Sequence, residues 1–188
     1  MKKHEPYRHF VRKTCFGSAV ILWEPRSDRP MVRQILLSRP GQPAEMSLKE
    51  QFPDSLPFSC SLIDDLAGRI EAFLDGADVR FPLEQVQLDL CPPFQRRVLL
   101  AEYGIPRGSV STYGRIAAYL GVGGGARAVG NALATNPFPI VIPCHRAIRS
   151  DGTLGGYQGG LAMKRALLEQ EGVTIDERDK VVSPRLFY

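Results

Sequence analysis

Apolar positions in the first half of the chain follow a strand rhythm and then a helical one. "GSAVILWEP" (17–25) and "MVRQILLSRP" (31–40) are β-rich runs joined by the polar "RSDRP", the pattern of a hairpin. "SCSLIDDLAGRIEAFLDGAD" (59–78) then places Leu62, Leu66, Ile70 and Phe73 or Leu74 at helical spacing, with Gly76 near the end. "FPLEQVQLDLCPP" (81–93) reads as a linker, because prolines 82, 92 and 93 bracket a short extended run. A domain of residues 1–89 is expected, with the character of a scaffold, followed by a second domain of residues 90–188.

In that second domain "FQRRVLLAEYGIP" (94–106) predicts an amphipathic helix closed by Gly104 and Pro106. "STYGRIAAYLG" (111–121) follows with Ser111 or Thr112 as N-cap and Gly121 as stop. "GVGGG" makes a turn and "ARAVGNALATN" (126–136) a further helix, so two short helices after a longer one read as a helix-turn-helix. "IVIPCHRAI" (140–148) looks like a buried strand that delivers a cysteine, a histidine and an arginine in succession, and "GGLAMKRALLEQEGV" (159–173) closes the pattern with a last helix. The fold class is therefore α+β: a small strand/helix N-terminal domain, then a mostly helical C-terminal domain with a winged-helix-like helix-turn-helix.

Composition adds little to this, but it excludes several classes. With 188 residues, 44% hydrophobic, the chain can bury real cores. Its apolar runs fall short of a membrane span, and "MKKHEPYRHF" carries no hydrophobic stretch behind its charges, so a soluble cytoplasmic protein is expected, nuclear in a eukaryote, with no membrane partner. Cys15, Cys60, Cys91 and Cys144 then read as reduced thiols, and no CxxC occurs. His4, His9, Cys15 and Cys60 match no zinc spacing, so no metal is expected.

Charge changes the picture more. Residues 1–90 carry 12 basic and 13 acidic side chains, whereas residues 91–150 carry seven arginines against Glu102 alone. An all-arginine excess suits phosphate, whose oxygens the guanidinium fork matches, and so points to nucleic acid. The second short helix is unusually thin, with Ala126, Ala128, Gly130, Ala132 and Ala134. Such a helix packs closely against another helix or against a nucleic-acid backbone, and Arg127 at its start with Asn131 one turn on favours the latter. Few base contacts imply little sequence preference.

The candidate chemistry lies in the cysteine run. A free thiol is only about 3% thiolate at neutral pH, so Cys144 needs a base or a positive field. His145 is adjacent, yet neighbours on a strand face opposite ways, and direct pairing needs a bend or a bridging water; Pro143 allows the bend. Glu171 sits in a last helical turn, where the dipole disfavours a carboxylate by up to about 1 kcal/mol, so it either has a partner or is simply an exposed polar residue. "SDGTLGGYQGG" (150–160) holds five glycines and a tyrosine, either a flexible loop or one whose N–H groups close over a flat ligand. Asn136 before Pro137 is a turn former.

"FQRRVLLAEYGIPRGSVSTYGRIAAYL", "ARAVGNALATNPFPIVIPCHRAI" and "GTLGGYQGGLAMKRALLEQEG" together resemble the O6-alkylguanine-DNA alkyltransferases over roughly residues 90–173. The resemblance implies that Cys144 is the alkyl acceptor, that His145 acts through a water as its base, that Glu171 orients the histidine and that Asn136 braces the turn. It also implies that Arg127 enters the duplex in place of a flipped guanine, that Tyr113 contacts the extruded base and its 3′ phosphate, and that Pro139 and Tyr157 wall the alkyl pocket. The resemblance further implies that Lys164 supports the loop, that the backbone of Ala147 meets guanine, and that Ala126, Asn131, Gly155, Gly156 and Gln158 complete the DNA and substrate contacts. The implied protein is a monomer without cofactor that binds double-stranded DNA containing alkylated guanine through the minor groove and acts once per molecule, with O4-alkylthymine as a further candidate substrate.

Four rivals remain at this level. A lesion binder that recruits excision repair holds tryptophan at the cysteine position, which Cys144 opposes. A helix-turn-helix regulator leaves the PCHR run and Glu171 idle. A cysteine hydrolase needs a histidine remote in sequence, and the others are only His4 and His9. A zinc site of Cys144, His145 and Glu171 has awkward adjacent ligands and lacks a fourth.

Overall fold

The computed structural model describes residues 6–26 and 28–188, which fall into two compact units meeting between Gln87 and Leu88. The first is a four-stranded sheet of order β3-β2-β1-β4, from β1 (Arg8–Thr14), β2 (Gly17–Pro25), β3 (Pro30–Leu37) and β4 (Leu56–Pro57). β2 pairs antiparallel with both β1 and β3, and β4 runs parallel to β1. Ala19 to Trp23 are all buried, so both faces of β2 are covered. Helix α1 (Ala44–Gln51) packs Ala44 and Leu48 on Val20, Leu22 and Leu36, while α2 (Ser61–Leu74) lies against β1.

The hairpin and α2 follow the sequence reading, whereas β1 and α1 were not apparent in it. β1 is "RHFVRKT", half-exposed and charged, with only pairing to β2 to define it. α1 buries only Ala44 and Leu48, too few positions to make a periodic signal. The 81–93 segment is firmer than a linker: Leu83–Gln85 and Leu88–Leu90 form 3₁₀ turns. Val86 bridges to Val32, and the fully buried Gln87 side chain donates to Glu24 and to the Met31 carbonyl.

The second unit begins with α3 (Pro93–Tyr103), whose first residue is a proline that lacks an N–H the helix could not have used. β5 (Ser111–Thr112) leads into α4 (Tyr113–Tyr119), capped by Thr112, whose hydroxyl accepts from the Arg115 N–H at 3.1 Å. Gly121 ends this element at φ 72°, a left-handed conformation that glycine adopts without penalty. α5 (Ala126–Ala134) completes the helix-turn-helix, and α3 packs against both of its helices. After a 3₁₀ turn at Cys144–Arg146, β6 (Ala147–Ile148) pairs parallel with β5, and α6 (Leu161–Gln170) follows. Val110, Ile148, Leu154, Leu168, Val173, Ile175 and Val181 form a core beneath these elements.

One expectation is corrected. Residues 140–146 are not a strand: Ile140 stands at φ 74°, Ile142 donates to the Phe138 carbonyl, and Cys144–Arg146 is a 3₁₀ turn. Prolines 137, 139 and 143 lack the N–H groups a ladder needs, and Asn136 supplies local partners instead. Only Ala147 and Ile148 are extended.

Candidate active site

The turn that carries the cysteine is built by one side chain. Asn136, buried, accepts from the Phe138 N–H at 2.9 Å through Oδ1 and donates to the Ile142 carbonyl at 3.1 Å through Nδ2. It thereby closes both ends of a loop whose backbone has little else to pair with. The Gln158 amide donates to the Asn136 carbonyl at 2.7 Å and ties in the glycine loop.

On this support Cys144, His145 and Arg146 are all buried, and the 3₁₀ turn rather than a strand sets their directions. His145 Nε2 lies 3.0 Å from Glu171 Oε1. Arg146 grips the same carboxylate with two bonds, Nε to Oε2 at 2.9 Å and a terminal nitrogen to Oε1 at 2.7 Å, and also donates to the Ile105 carbonyl. Burial pushes the Glu171 carboxyl up, but hydrogen bonds from His145 and Arg146 overcome this and hold it at about 2. An ionised carboxylate accepts, so Nε2 carries the imidazole proton and Nδ1 its lone pair. Burial also lowers the His145 pKa, against the pull of Glu171, so the ring is neutral and able to take a proton.

The sulfur itself is held as a thiol. Burial pushes Cys144 up to about 12; a hydrogen bond from Asn136 and the charge of Lys164 work against this, and Glu102 adds to it. Lys164, fully buried, donates to the carbonyls of Ala147 at 2.6 Å, Leu154 at 2.5 Å and Gly156 at 3.4 Å. One of the two lone pairs of the Ala147 carbonyl is thus already occupied.

The pocket-wall candidates are close by. The Tyr157 ring meets the His145 ring edge-on with centroids 6.2 Å apart. Tyr113 reaches the glycine loop: a Cβ on Gly155, which stands at φ 71°, would lie 2.9 Å from its hydroxyl oxygen. Burial raises the Tyr113 pKa to about 12, so its hydroxyl keeps its proton and can donate. Pro139 is buried, bridging to Ile142. Arg127 and Asn131 stand apart from this cluster on the exposed face of α5, with Ala126 half-buried beside them.

Sequence reasoning missed two charged residues. Arg146 was visible only as part of the PCHR run, and its signal was a charge within an apolar stretch. Glu102 sits four residues after Val98 and three after Leu99, on the face of α3 that is otherwise apolar, and it is fully buried. In the first unit, His9 pairs with Ser55 Oγ at 3.0 Å and Cys15 donates to the Leu74 carbonyl; His4 lies outside the described residues. Among the described residues no cluster of His, Cys, Asp and Glu gathers as metal ligands, and no helix is long and apolar enough to cross a membrane.

Fold and site together define a winged-helix-like domain built around a cysteine–histidine–carboxylate site. Residues 93–173 match the family described as 6-O-methylguanine DNA methyltransferase, DNA binding domain. The chain is 51% identical over 114 residues to the methylated-DNA–protein-cysteine methyltransferase of Methanothermobacter thermautotrophicus, covering 61% of this chain and 64% of that one. It is 55% identical over 80 residues to the Salmonella typhimurium protein of that name, 43% of this chain and 47% of that one. The Mycobacterium tuberculosis protein of the same name is 44% identical over 131 residues, 69% and 74% of the two chains. The crystal structure of Mycobacterium tuberculosis O6-methylguanine methyltransferase superposes with a TM-score of 0.69 at 31% identity, covering 88% of this chain and 92% of that one. The chain belongs to the methylated-DNA–protein-cysteine methyltransferase family.

Proposed function

We propose that this protein repairs DNA by direct reversal, taking the alkyl group of O6-alkylguanine onto Cys144 in a single irreversible transfer. The observation that carries this reading is the buried run in which Cys144 adjoins an imidazole held at 3.0 Å by an ionised Glu171. Such a pair supplies a nucleophile with a base whose tautomer is fixed. A solved Mycobacterium tuberculosis relative is in complex with DNA, with a TM-score of 0.64 at 30% identity and coverage of 88% of this chain and 91% of that one.

The step balances without any further reactant. The thiol proton passes to His145 Nδ1 through a water as sulfur attacks the alkyl carbon; the S–C bond forms and the C–O6 bond breaks. The departing guanine takes a proton at N1 from solvent, to which His145 returns the thiol proton, and the Tyr113 hydroxyl, held protonated, stabilises the leaving base by hydrogen bonding. Because the resting thiol is kept neutral, proton removal accompanies attack, and other electrophiles meet a poorly reactive sulfur. The product thioether offers no leaving group to ordinary acid or base, so each molecule acts once.

Chemistry on a base within a duplex requires flipping it out, at a cost of a few kcal/mol. Arg127, exposed at the start of thin α5, fills the gap in the stack from the minor groove, while the arginine-rich segment contacts phosphate. Pro139 and Tyr157 wall the alkyl pocket, and Gly155, Gly156 and Gln158 form its loop. O4-alkylthymine presents the same alkyl–oxygen bond and is a second substrate. The first unit serves as a scaffold, and the protein acts as a monomer in the cytoplasm.

The test is loss of O6-methylguanine from a duplex oligonucleotide, followed by chromatography of its nucleosides. Wild-type protein is expected to restore guanine stoichiometrically and Cys144→Ala to restore none. Tight lesion binding without restoration would replace this reading with that of a non-catalytic lesion-binding protein.

A further inference from the structure

Arg146 has a place in the site that the transfer step described above does not use. Its side chain, nine-tenths buried, reaches Glu171, 25 residues along the chain, and takes both carboxylate oxygens, Nε to Oε2 at 2.9 Å and a terminal nitrogen to Oε1 at 2.7 Å. Its other terminal nitrogen donates to the Ile105 carbonyl, which fixes the guanidinium plane from a third side. Oε1 accepts a second bond, from His145 Nε2 at 3.0 Å. One oxygen is thus shared by a guanidinium and an imidazole, and with the Glu171 side chain 1% exposed water screens neither contact.

A buried carboxylate whose only partner is a histidine is most readily balanced by a second proton on the ring. A guanidinium, charged at every working pH, balances the same carboxylate without one, and the ring then needs to supply only a single N–H. The influences on His145 divide in this way: burial lowers its pKa, Glu171 raises it, and the charges of Arg146 and Lys164 lower it. The remaining groups that face the turn are few. Lys164, from α6, is held by three backbone carbonyls and lowered by burial to about 8. Glu102, from α3, is pushed up by burial to about 8, and Tyr157, from the glycine loop, meets the ring edge-on. Burial holds Cys144, in the same turn, as a thiol. Below about pH 7, therefore, Lys164 stays charged and Glu102 neutral.

We propose that Arg146 is a positioning residue that keeps the base of the site empty: by neutralising Glu171 it lets that carboxylate fix the imidazole tautomer without loading the ring with a second proton. A doubly protonated ring has no lone pair for the Cys144 proton, so the arginine separates two effects that a lone carboxylate would exert together. The inference rests on His145 being the base of the proposed transfer.

The experiment joins two readouts on the full chain between about pH 5 and about pH 7. One is nitrogen NMR of the His145 ring, its signals assigned by their loss in His145→Gln; the other is the rate of methyl transfer from duplex O6-methylguanine. Wild-type protein is expected to hold a neutral ring, protonated at Nε2, at about pH 6. Arg146→Met is expected to raise the midpoint of the ring by about one pH unit or more, and to slow transfer about tenfold at about pH 6 with recovery as the pH rises. Adding Glu171→Gln to that variant removes the charge Arg146 balanced and is expected to return the ring to its neutral form. An unmoved midpoint in Arg146→Met, or a transfer rate lowered equally at every pH, would overturn the inference. Should that variant fail to fold, wild type and the double variant, which carries neither buried charge, decide. Rings neutral alike at about pH 6 support the inference, whereas a wild-type imidazolium means that the pull of Glu171 is unopposed and sinks it. A chain that shows the NMR response yet leaves O6-methylguanine untouched counts against the repair function alone.

Discussion

At the scale of single residues, Glu171 holds the site together. Its carboxylate accepts from His145 and twice from Arg146, and it is ionised down to about 2 against an ordinary value of 4.5. A folded-state pKa below the unfolded one gives stability that is present above about pH 4.5 and lost as pH falls toward 2. The linkage is worth about 3 kcal/mol. Urea titration of wild type and Glu171→Gln at neutral pH is expected to show a gap of that order, closing as the pH approaches 2. The same variant is expected to slow alkyl transfer by about a hundredfold, since His145 loses its fixed tautomer. Arg146→Met leaves the Glu171 charge buried with less to balance it, and a loss of about 3–5 kcal/mol in chemical denaturation is expected. Glu102 works in the opposite sense: its raised pKa means stability falls as pH rises from about 4.5 to about 8 and is level above that, and Glu102→Gln should flatten that decline.

At the scale of elements, the turn from Asn136 to Pro143 sets where the sulfur stands. Removing the Asn136 side chain deletes both of its buried hydrogen bonds, taking the partner of the Phe138 N–H and leaving the Ile142 carbonyl with the Cys144 N–H alone. Asn136→Ala is expected to cost about 2–4 kcal/mol by thermal or chemical denaturation, and to slow transfer even where it folds. α5 presents a different dependence. Arg127→Ala touches nothing in the buried cluster, so it is expected to slow repair of a duplex lesion by tenfold or more while leaving the iodoacetamide rate at Cys144 unchanged. Equal losses in both assays would show that α5 shapes the cysteine pocket rather than the duplex contact.

The elements also show what a sequence can and cannot reveal. α3, α4, α5, α6 and the β2–β3 hairpin were legible because apolar spacing, caps and stops agreed, Thr112 and Gly121 among them. The 140–146 run was misread because β-branched residues signal burial as readily as extension, and here Asn136 satisfies the backbone that a ladder would have paired. Cys144, His145 and Glu171 could be picked out as chemistry, but the grip of Arg146 on Glu171 and the silent burial of Glu102 depend on contacts 25 and more residues apart, or on a helix face closed by distant chain. No local pattern encodes those.

At the scale of the molecule, charge and chemistry are concentrated in the second unit. Of the seven arginines of residues 91–150, Arg146 is buried against Glu171 and the other six reach the surface, while the segment's one carboxylate, Glu102, is buried, so the surface charge of that segment is cationic. Binding to undamaged duplex is therefore expected to fall about a thousandfold between about 50 and 200 mM salt if six phosphates are engaged, with little dependence on sequence. Fluorescence anisotropy on two unrelated duplexes checks both statements. A weak salt slope with strong sequence preference would instead mark a base-reading regulator.

The central claim is that one sulfur accepts one alkyl group and keeps it. Intact-mass spectrometry of the protein after incubation with excess duplex containing O6-methylguanine tests this most directly, with peptide mapping to locate the added mass. A single methyl group per chain, confined to the Cys144 peptide and stable to further incubation with fresh thiol, is predicted. An unmodified chain, a methyl group on Cys15, Cys60 or Cys91, or repair continuing beyond one turnover would contradict the account.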